Sequence, residues 1–290
     1  MKLKDAIEIL RPVNCLMGAL TVIIGLLNTR TSISLSLLLS NFILGTLTYV
    51  FLAGSGMVIN DFYDYEIDKI NRPQRPIPRG SVSLSQARIL FFTYLSIGLV
   101  LSVLNVLIFN LNFIIIIIAA FFGFIGWIYA KWGKKSGFPG NIIVSISFSI
   151  GMIYGALLNS SLIPIYIYYY FLTAFFLLLS REIIKGCEDI EGDKKEGVKT
   201  LAIRIGTKKA TTFAMISLLL ALIFFILPLF TNIINPFLFL IMMSSGFIIV
   251  VFSIYLLIKK NMERNDFKRV SLLLKIGALL GLLSFVFASL

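Results

Sequence analysis

Two acidic runs in this chain have the composition and spacing for divalent-metal chemistry. The first reads Asn60-Asp61-Phe62-Tyr63-Asp64-Tyr65-Glu66-Ile67-Asp68. On a helix continued through this stretch, Asp61, Asp64 and Asp68 stand at i, i+3 and i+7 and line one face, with Asn60 one position before them. Three carboxylates on one stripe repel each other unless a cation lies between them. Hard oxygen donors of this kind suit Mg²⁺, which takes one or two carboxylates and completes its shell with water and phosphate oxygens. The second run reads Arg181-Glu182-Ile183-Ile184-Lys185-Gly186-Cys187-Glu188-Asp189-Ile190-Glu191-Gly192-Asp193, where Glu182, Asp189 and Asp193 are spaced i, i+7 and i+11. With Glu66 and Glu196 counted, the two segments hold ten of the 14 acids in the chain. A solvated helix end explains one such run. Two of them, each leaving an apolar stretch and each trailed by basic residues, point to an anionic ligand held through metal.

The basic residues fit that ligand. After Asp68 comes Lys69-Ile70-Asn71-Arg72-Pro73-Gln74-Arg75-Pro76-Ile77-Pro78-Arg79-Gly80. Its prolines predict a stiff, extended loop that presents Arg72, Arg75 and Arg79 to phosphate, for which the guanidinium fork is well shaped. Ser83-Leu84-Ser85-Gln86 then has capping-box spacing and predicts a helix start. A third segment, Tyr129-Ala130-Lys131-Trp132-Gly133-Lys134-Lys135, is basic with no acid.

These runs sit in a chain that cannot cover a water-facing surface. Of its 290 residues 58% are apolar and 14% charged, where a soluble domain has about a quarter charged. It has no histidine and two cysteines, Cys15 and Cys187. Histidine-based acid–base chemistry, a Ser-His-Asp triad and a His/Cys zinc site are therefore excluded, as is a disulfide framework. A nucleic-acid partner is a poor reading of this greasy composition, in spite of the net charge of +12.

The uncharged stretches set the helices. A span needs about 20 apolar residues. Stretches 12–29 and 31–60 each provide one span, as does 270–290, which holds one charge, Lys275. Stretches 89–130, 136–180 and 210–258 each provide two, broken at Asn105/Asn110/Asn112, at Asn159-Ser160-Ser161 with Pro164, and at Pro228/Asn232/Asn235/Pro236. The expected fold is all-α, a polytopic membrane protein with nine transmembrane helices in one bundle over residues 1–290. With the N-terminus cytoplasmic and the C-terminus outside, 24 of the 26 lysines and arginines fall on the inner side, as the positive-inside rule requires. Both acidic runs then lie on that side, four spans apart. That spacing suggests a parallel duplication of helices 1–4 and 5–8, with the two stripes facing each other. The opening MKLKDAIEIL reads as an amphipathic start without a cleavable signal. The aromatic run from Tyr166 to Phe171 reads as an interfacial belt.

The first run, with Arg75-Pro76-Ile77-Pro78-Arg79-Gly80 after it, resembles the first signature of the UbiA superfamily of intramembrane prenyltransferases. The second run, closed by Glu-Gly-Val-Lys-Thr-Leu-Ala-Ile-Arg-Ile-Gly from Glu196 to Gly206, resembles the second. Arg11-Pro12-Val13-Asn14 and Tyr129 with Gly140-Asn141 are similar to weaker family marks. The resemblance implies Mg²⁺-dependent transfer of a prenyl group from a polyprenyl diphosphate to a lipid-like acceptor. It implies one metal on Asp64 and Asp68 with Asn60 and Asp61 near, and another on Asp189 and Asp193 with Glu182. Asp64, Asp68, Asp189 and Asp193 would carry catalysis. Arg11, Asn14, Asn60, Arg72, Arg75, Arg79, Tyr129, Lys131, Lys134, Lys135 and Lys185 would contact substrate.

Glu182 stands where many relatives are similar but have Asp, and with Glu188 to Asp193 it looks most like the branch that makes archaeal ether lipids. That branch joins geranylgeranyl diphosphate to geranylgeranylglyceryl phosphate. A phosphate-bearing acceptor would account for further cations, with Arg11, Lys131 and Lys185 as the candidates. The first signature also resembles the chlorophyllide branch, so quinone precursors, chlorophyllide and haem stay as alternative acceptors. A cation transporter is a reading from another class; its acids would be expected near the midplane on broken helices. A CDP-alcohol phosphotransferase would need an Asp-Gly pair, which the chain lacks.

Overall fold

The structure is a computed structural model that describes residues 2–30, 33–133, 136–195, 197–259 and 261–290, without side chains at 70, 71 and 195. Among the described residues the secondary structure is entirely helical. In chain order the elements are α1 (Leu3–Ile9), α2 (Pro12–Asn28), α3 (Leu35–Tyr63), α4 (Tyr65–Asn71), α5 (Leu84–Phe109) and α6 (Ile114–Ile128), which continues as a π-turn over Tyr129–Gly133. Then come α7 (Phe138–Ser149), α8 (Gly151–Asn159), α9 (Ile165–Glu188), α10 (Ile190–Lys195), α11 (Leu201–Ile205) and α12 (Thr207–Ile226), extended by a 3₁₀ turn over Leu227–Phe230. The last two are α13 (Pro236–Leu257) and α14 (Arg264–Phe287).

Eight helical segments among the described residues are long and apolar enough to cross a membrane, with α7 and α8 together making one of them. The first expected span, 12–29, is realised as α2, bent by 54° from α1, so the pair is a ninth candidate only when counted as one bent element. The breaks fall where the polar residues are. Asn110 ends α5 with φ of 50°, a conformation that asparagine tolerates better than most residues. Asn105 does not break anything; it is buried within α5. Many large apolar side chains point outward, among them Leu107, Ile108, Phe237 and Ile248. Lipid-facing helices need that surface, because nothing in hydrocarbon favours hiding it.

The chain divides into two compact units, residues 1–132 with 154–162, and residues 133–153 with 163–290. In the first, α3 packs against α2, α5 and α6. One apolar cluster gathers Val22, Leu26, Leu52, Ile115 and Leu158, and another gathers Ile9, Val58, Ile77, Phe91 and Tyr94. A Cβ on Gly126 would stand 3.3 Å from the Gly56 Cα, so α3 and α6 meet backbone to backbone, as small residues allow. In the second unit α9 packs against α7, α12 and α14, and α13 lies along α14. Tyr166 and Tyr170 are core residues here, with Tyr170 stacked on Phe285 at 4.0 Å. The expected aromatic belt is thus corrected. The helical period turns Tyr166 and Tyr170 inward and leaves Tyr168 exposed.

The loop after the first acidic run is not extended. Arg75 N–H donates to Arg72 O, Arg79 N–H to Arg75 O, and Val82 N–H to Pro76 O, each at 3.0 Å. Ile77 and Val82 are buried and anchor these turns to the core. Proline's fixed φ suits turns as well as extended chain, and burial of the two side chains decides between them. The capping box at Ser83 and Gln86 is present as expected, with both reciprocal bonds made.

Candidate active site

In the first unit, α3 ends at Tyr63 and α4 begins at Tyr65, so the helix breaks at Asp64. Helical bonding nonetheless carries through. Asp64 N–H donates to Asn60 O at 2.9 Å and Asp68 N–H to Asp64 O at 2.8 Å. The stripe expected from the spacing therefore survives the break. Asp61 is 1% exposed, and Asp64 and Asp68 are also buried. Asn60 Nδ2 donates to Asp64 Oδ2 at 2.9 Å.

Buried carboxylates need compensation, and two arginines provide it. Arg75 Nη1 donates to Asp61 Oδ1 at 3.1 Å and also to Asp68 Oδ2. Arg11 Nη2 donates to Asp61 from the opposite direction in sequence, at the junction of α1 and α2. Arg11 has φ of 52° and ψ of 66°, the left-handed region in which a bulky side chain is strained. Strain of this sort persists where surroundings enforce it, and here the side chain is held by its ion pair with Asp61.

Arg79, expected at a phosphate, has a different post. Its Nε donates to Ser81, Nη1 to Glu8 and the Gln74 carbonyl, and Nη2 to Asp5 and Glu8. A guanidinium has five N–H donors, and all of them are engaged. Arg79 therefore pins the loop to α1 and has none left for a substrate. Hydrogen bonds from Arg79 hold the Glu8 carboxyl below its ordinary range. The Tyr94 hydroxyl adds a bond to the Ala6 carbonyl at 2.9 Å, fixing α1 from its other side.

The remaining expected residues of this unit are less engaged. Asn14 is exposed on the first turn of α2, and Arg72 is exposed at the end of α4. Tyr129 is half-buried and opens the π-turn, a distortion often found at functional sites. Lys131 lies over the Trp127 and Trp132 rings, 5.1 and 4.5 Å from their centroids. Lys134 and Lys135 lie outside the described residues.

The second unit repeats the break. Asp189 interrupts the helix between α9 and α10. Its N–H donates to Lys185 O at 3.0 Å, and Asp193 N–H donates to Asp189 O at 2.9 Å. The surroundings differ. Asp189 is exposed, and Glu182 is paired with Arg181 at 2.9 Å and Lys185 at 3.5 Å. Gly137, with φ of 73°, packs so tightly that a Cβ there would stand 1.9 Å from the Lys199 carbonyl oxygen. The chain after the acidic run is folded back onto this point.

Sequence reasoning missed Asp5, Glu8 and Arg264. Arg264 Nη2 approaches Asp189 Oδ1 at 3.8 Å from the start of α14. The signal for Asp5 and Glu8 was present: they are an i, i+3 acidic pair outside both runs, on an amphipathic start. Nothing in the sequence marks Arg264 among its basic neighbours.

Among the described residues no three acidic or cysteine side chains are gathered closely enough to hold a metal ion. The donors still suit a hard divalent cation in kind. They are buried carboxylate oxygens with an amide beside them, the donor type that Mg²⁺ prefers.

The UbiA prenyltransferase family matches residues 18–288. The chain belongs to this family. It is 38% identical over 290 residues to the digeranylgeranylglyceryl phosphate synthase of Methanosphaera stadtmanae, with 98% of each chain covered. A solved structure of a digeranylgeranylglyceryl phosphate synthase is similar at a TM-score of 0.82 and 32% identity, covering 99% of this chain and 98% of that one. A UbiA homolog from Archaeoglobus fulgidus, bound to GPP and Mg²⁺, shares the fold at a TM-score of 0.71 and 18% identity, with 97% and 99% covered. The chain is thus a membrane prenyltransferase of the UbiA family, and it resembles the enzymes of archaeal ether-lipid synthesis.

Proposed function

We propose that this prenyltransferase joins the geranylgeranyl group of geranylgeranyl diphosphate to geranylgeranylglyceryl phosphate in the building of archaeal membrane ether lipids. The observation that carries the reading is full-length likeness to digeranylgeranylglyceryl phosphate synthases, 38% identical with 98% of both chains covered. The allylic C–O bond to diphosphate breaks, with its electron pair leaving on the diphosphate. The acceptor hydroxyl oxygen forms the new ether bond and its proton is released.

The residues support this chemistry without histidine. Asp64 and Asp68, with Asn60 and Asp61, would hold one Mg²⁺; Asp189 and Asp193, with Glu182, would hold another. The metal would supply neutralisation of charge on the departing diphosphate. Arg75 and Arg72 bind the diphosphate, and Arg11, Lys131 and Lys185 serve the acceptor phosphate. Buried carboxylates orient Arg75 and Arg11, and the apolar helices keep bulk water from the allylic cation. Residues 1–290 act as one prenyltransferase domain, a parallel duplication of two helix sets. The equivalent breaks at Asp64 and Asp189 support that reading.

The protein in detergent with Mg²⁺, radiolabelled geranylgeranyl diphosphate and a panel of acceptors provides the test. Geranylgeranylglyceryl phosphate is the expected acceptor, and selective prenylation of a quinone precursor, chlorophyllide or haem would replace it. Ion-driven flux in liposomes without transfer to any acceptor would restore the transporter reading. The cytoplasmic placement of both acidic runs is tested by labelling single cysteines in intact cells. Gln74→Cys is expected to be shielded from an impermeant maleimide, and Asn112→Cys to react.

A further inference from the structure

We propose that Arg75 is an exchangeable counter-ion. It holds Asp61 and Asp68 while no metal is present, competes with the divalent cation for Asp68, and passes to the diphosphate when donor and metal bind together. The inference rests on the metal-and-diphosphate reading above and adds to it a coupling between the two ligands.

Three observations carry it. First, the two carboxylates do not depend on Arg75 equally. Asp61 is also held by Arg11, so it stays compensated when Arg75 leaves. Asp68 has Arg75 as its ion-pair partner among the described residues and no other. A buried carboxylate without a cation is costly, so either Arg75 or a metal stabilises Asp68 in its charged form. A divalent cation on Asp68 would meet Arg75 with twice the charge that Arg11 brings at Asp61, so the two repel each other at contact distance.

Second, Arg75 reaches both acids through the single nitrogen Nη1. Among the described residues its Nε and Nη2 donate to nothing. An arginine fixed for structure alone would be expected to spend its donors as Arg79 does, on all five acceptors. Arg75 keeps donors for a bidentate anion.

Third, the side chain can move while its backbone stays. Arg75 N–H is bound to Arg72 O, and Arg75 O accepts from Arg79 N–H, both at 3.0 Å. Arg79 is clamped to α1. Rotation about the side-chain bonds of Arg75 then lets the guanidinium leave the carboxylates without moving the loop.

Such an exchange requires positive coupling. The donor draws Arg75 away and so favours the metal, and by linkage the metal favours the donor. Mn²⁺ binding to the detergent-purified full chain, read by electron paramagnetic resonance, tests this with and without a non-reactive thiolo analogue of geranylgeranyl diphosphate. Wild type is expected to bind Mn²⁺ about tenfold more tightly with the analogue present. Arg75→Gln is expected to bind Mn²⁺ about tenfold more tightly than wild type without the analogue, and to lose most of the enhancement. Its melting temperature is expected to rise more steeply with Mn²⁺ than that of wild type, a readout that serves even where the variant is unstable without metal. Wild type that binds Mn²⁺ beside an Arg75→Gln protein that binds it no more tightly and is not rescued by it would overturn the exchange while leaving the metal reading intact. No Mn²⁺ binding by wild type in either condition would overturn both.

Discussion

Arg75 Nη1 lies 3.1 Å from Asp61 Oδ1, across fourteen residues of sequence that include the end of α3, all of α4 and the start of a proline-rich turn. The ion pair closes the first acidic run against its own basic loop. The two motifs form one structural unit. Asp61 anchors this unit because it receives Arg11 as well.

Asp61 should accordingly be structural as well as functional. Asp61→Ala leaves Arg11 and Arg75 without their shared partner, and breaking a buried pair costs about 3–5 kcal/mol. A clear fall in the melting temperature of the detergent-solubilised protein is expected, beyond that of Asp64→Ala.

Asp64→Ala and Asp189→Ala should each lower prenyl transfer on the order of a hundredfold or more while leaving expression and helical content intact. Transfer of label from geranylgeranyl diphosphate measures it. Undiminished activity in both variants would falsify the assignment of the two acidic runs to catalysis.

The clamp of Arg79 on α1 predicts a stability loss in acid. Hydrogen bonds from Arg79 lower the Glu8 carboxyl from its ordinary 4.5. At Asp5 burial pushes upward, and bonds from Arg79 and the Lys2 N–H outweigh it, so that group too lies below its ordinary 3.8. A carboxyl depressed on folding contributes stability that is present above its unfolded pKa and lost as pH falls through the folded one. The melting temperature should hold level down to roughly pH 5 and then decline, less steeply in Glu8→Gln. An equal decline in wild type and variant would remove Glu8 from this role.

Glycine contacts give a sharp contrast between positions. A Cβ on Gly155 would stand 2.1 Å from the Val22 carbonyl oxygen, whereas a Cβ on Gly192 meets nothing within 4 Å. Gly155→Ala should destabilise the first unit by about 1–3 kcal/mol, as overpacking does, and Gly192→Ala should be tolerated. Thermal melts of the two proteins side by side decide this.

Arg264→Gln should act weakly. Its approach to Asp189 is long, 3.8 Å, and Arg264 is largely exposed, so solvent and salt screen the pair. A rise in the donor KM at low ionic strength that disappears at high salt is expected, with kcat and melting temperature nearly unchanged.

The fold class, most helix breaks and the two acidic runs were legible in the sequence for one reason. In a bilayer every charge and every asparagine must be accounted for, so most of their positions along an apolar chain mark helix ends and sites. Asn41 and Asn105, buried inside helices, are among the exceptions. The stripe of Asp61, Asp64 and Asp68 follows from helical spacing alone, and the capping box at Ser83 from spacing three residues long. Local patterns of this sort do not depend on what packs against them.

The roles of the arginines do depend on it. Arg72, Arg75 and Arg79 stand in one loop with similar neighbours, and composition treats them alike. Only the folded chain leaves Arg72 exposed, spends Arg79 on Asp5 and Glu8, and sets Arg75 between Asp61 and Asp68. The same holds for Tyr166 and Tyr170, whose rings could serve a membrane interface or a core until Phe285 is placed beside Tyr170. The sequence determined which residues carry charge and where helices must end, because those are local and additive properties. Partner choice is a contest among side chains distant in sequence, settled by burial and distance, and the tertiary structure alone decided it.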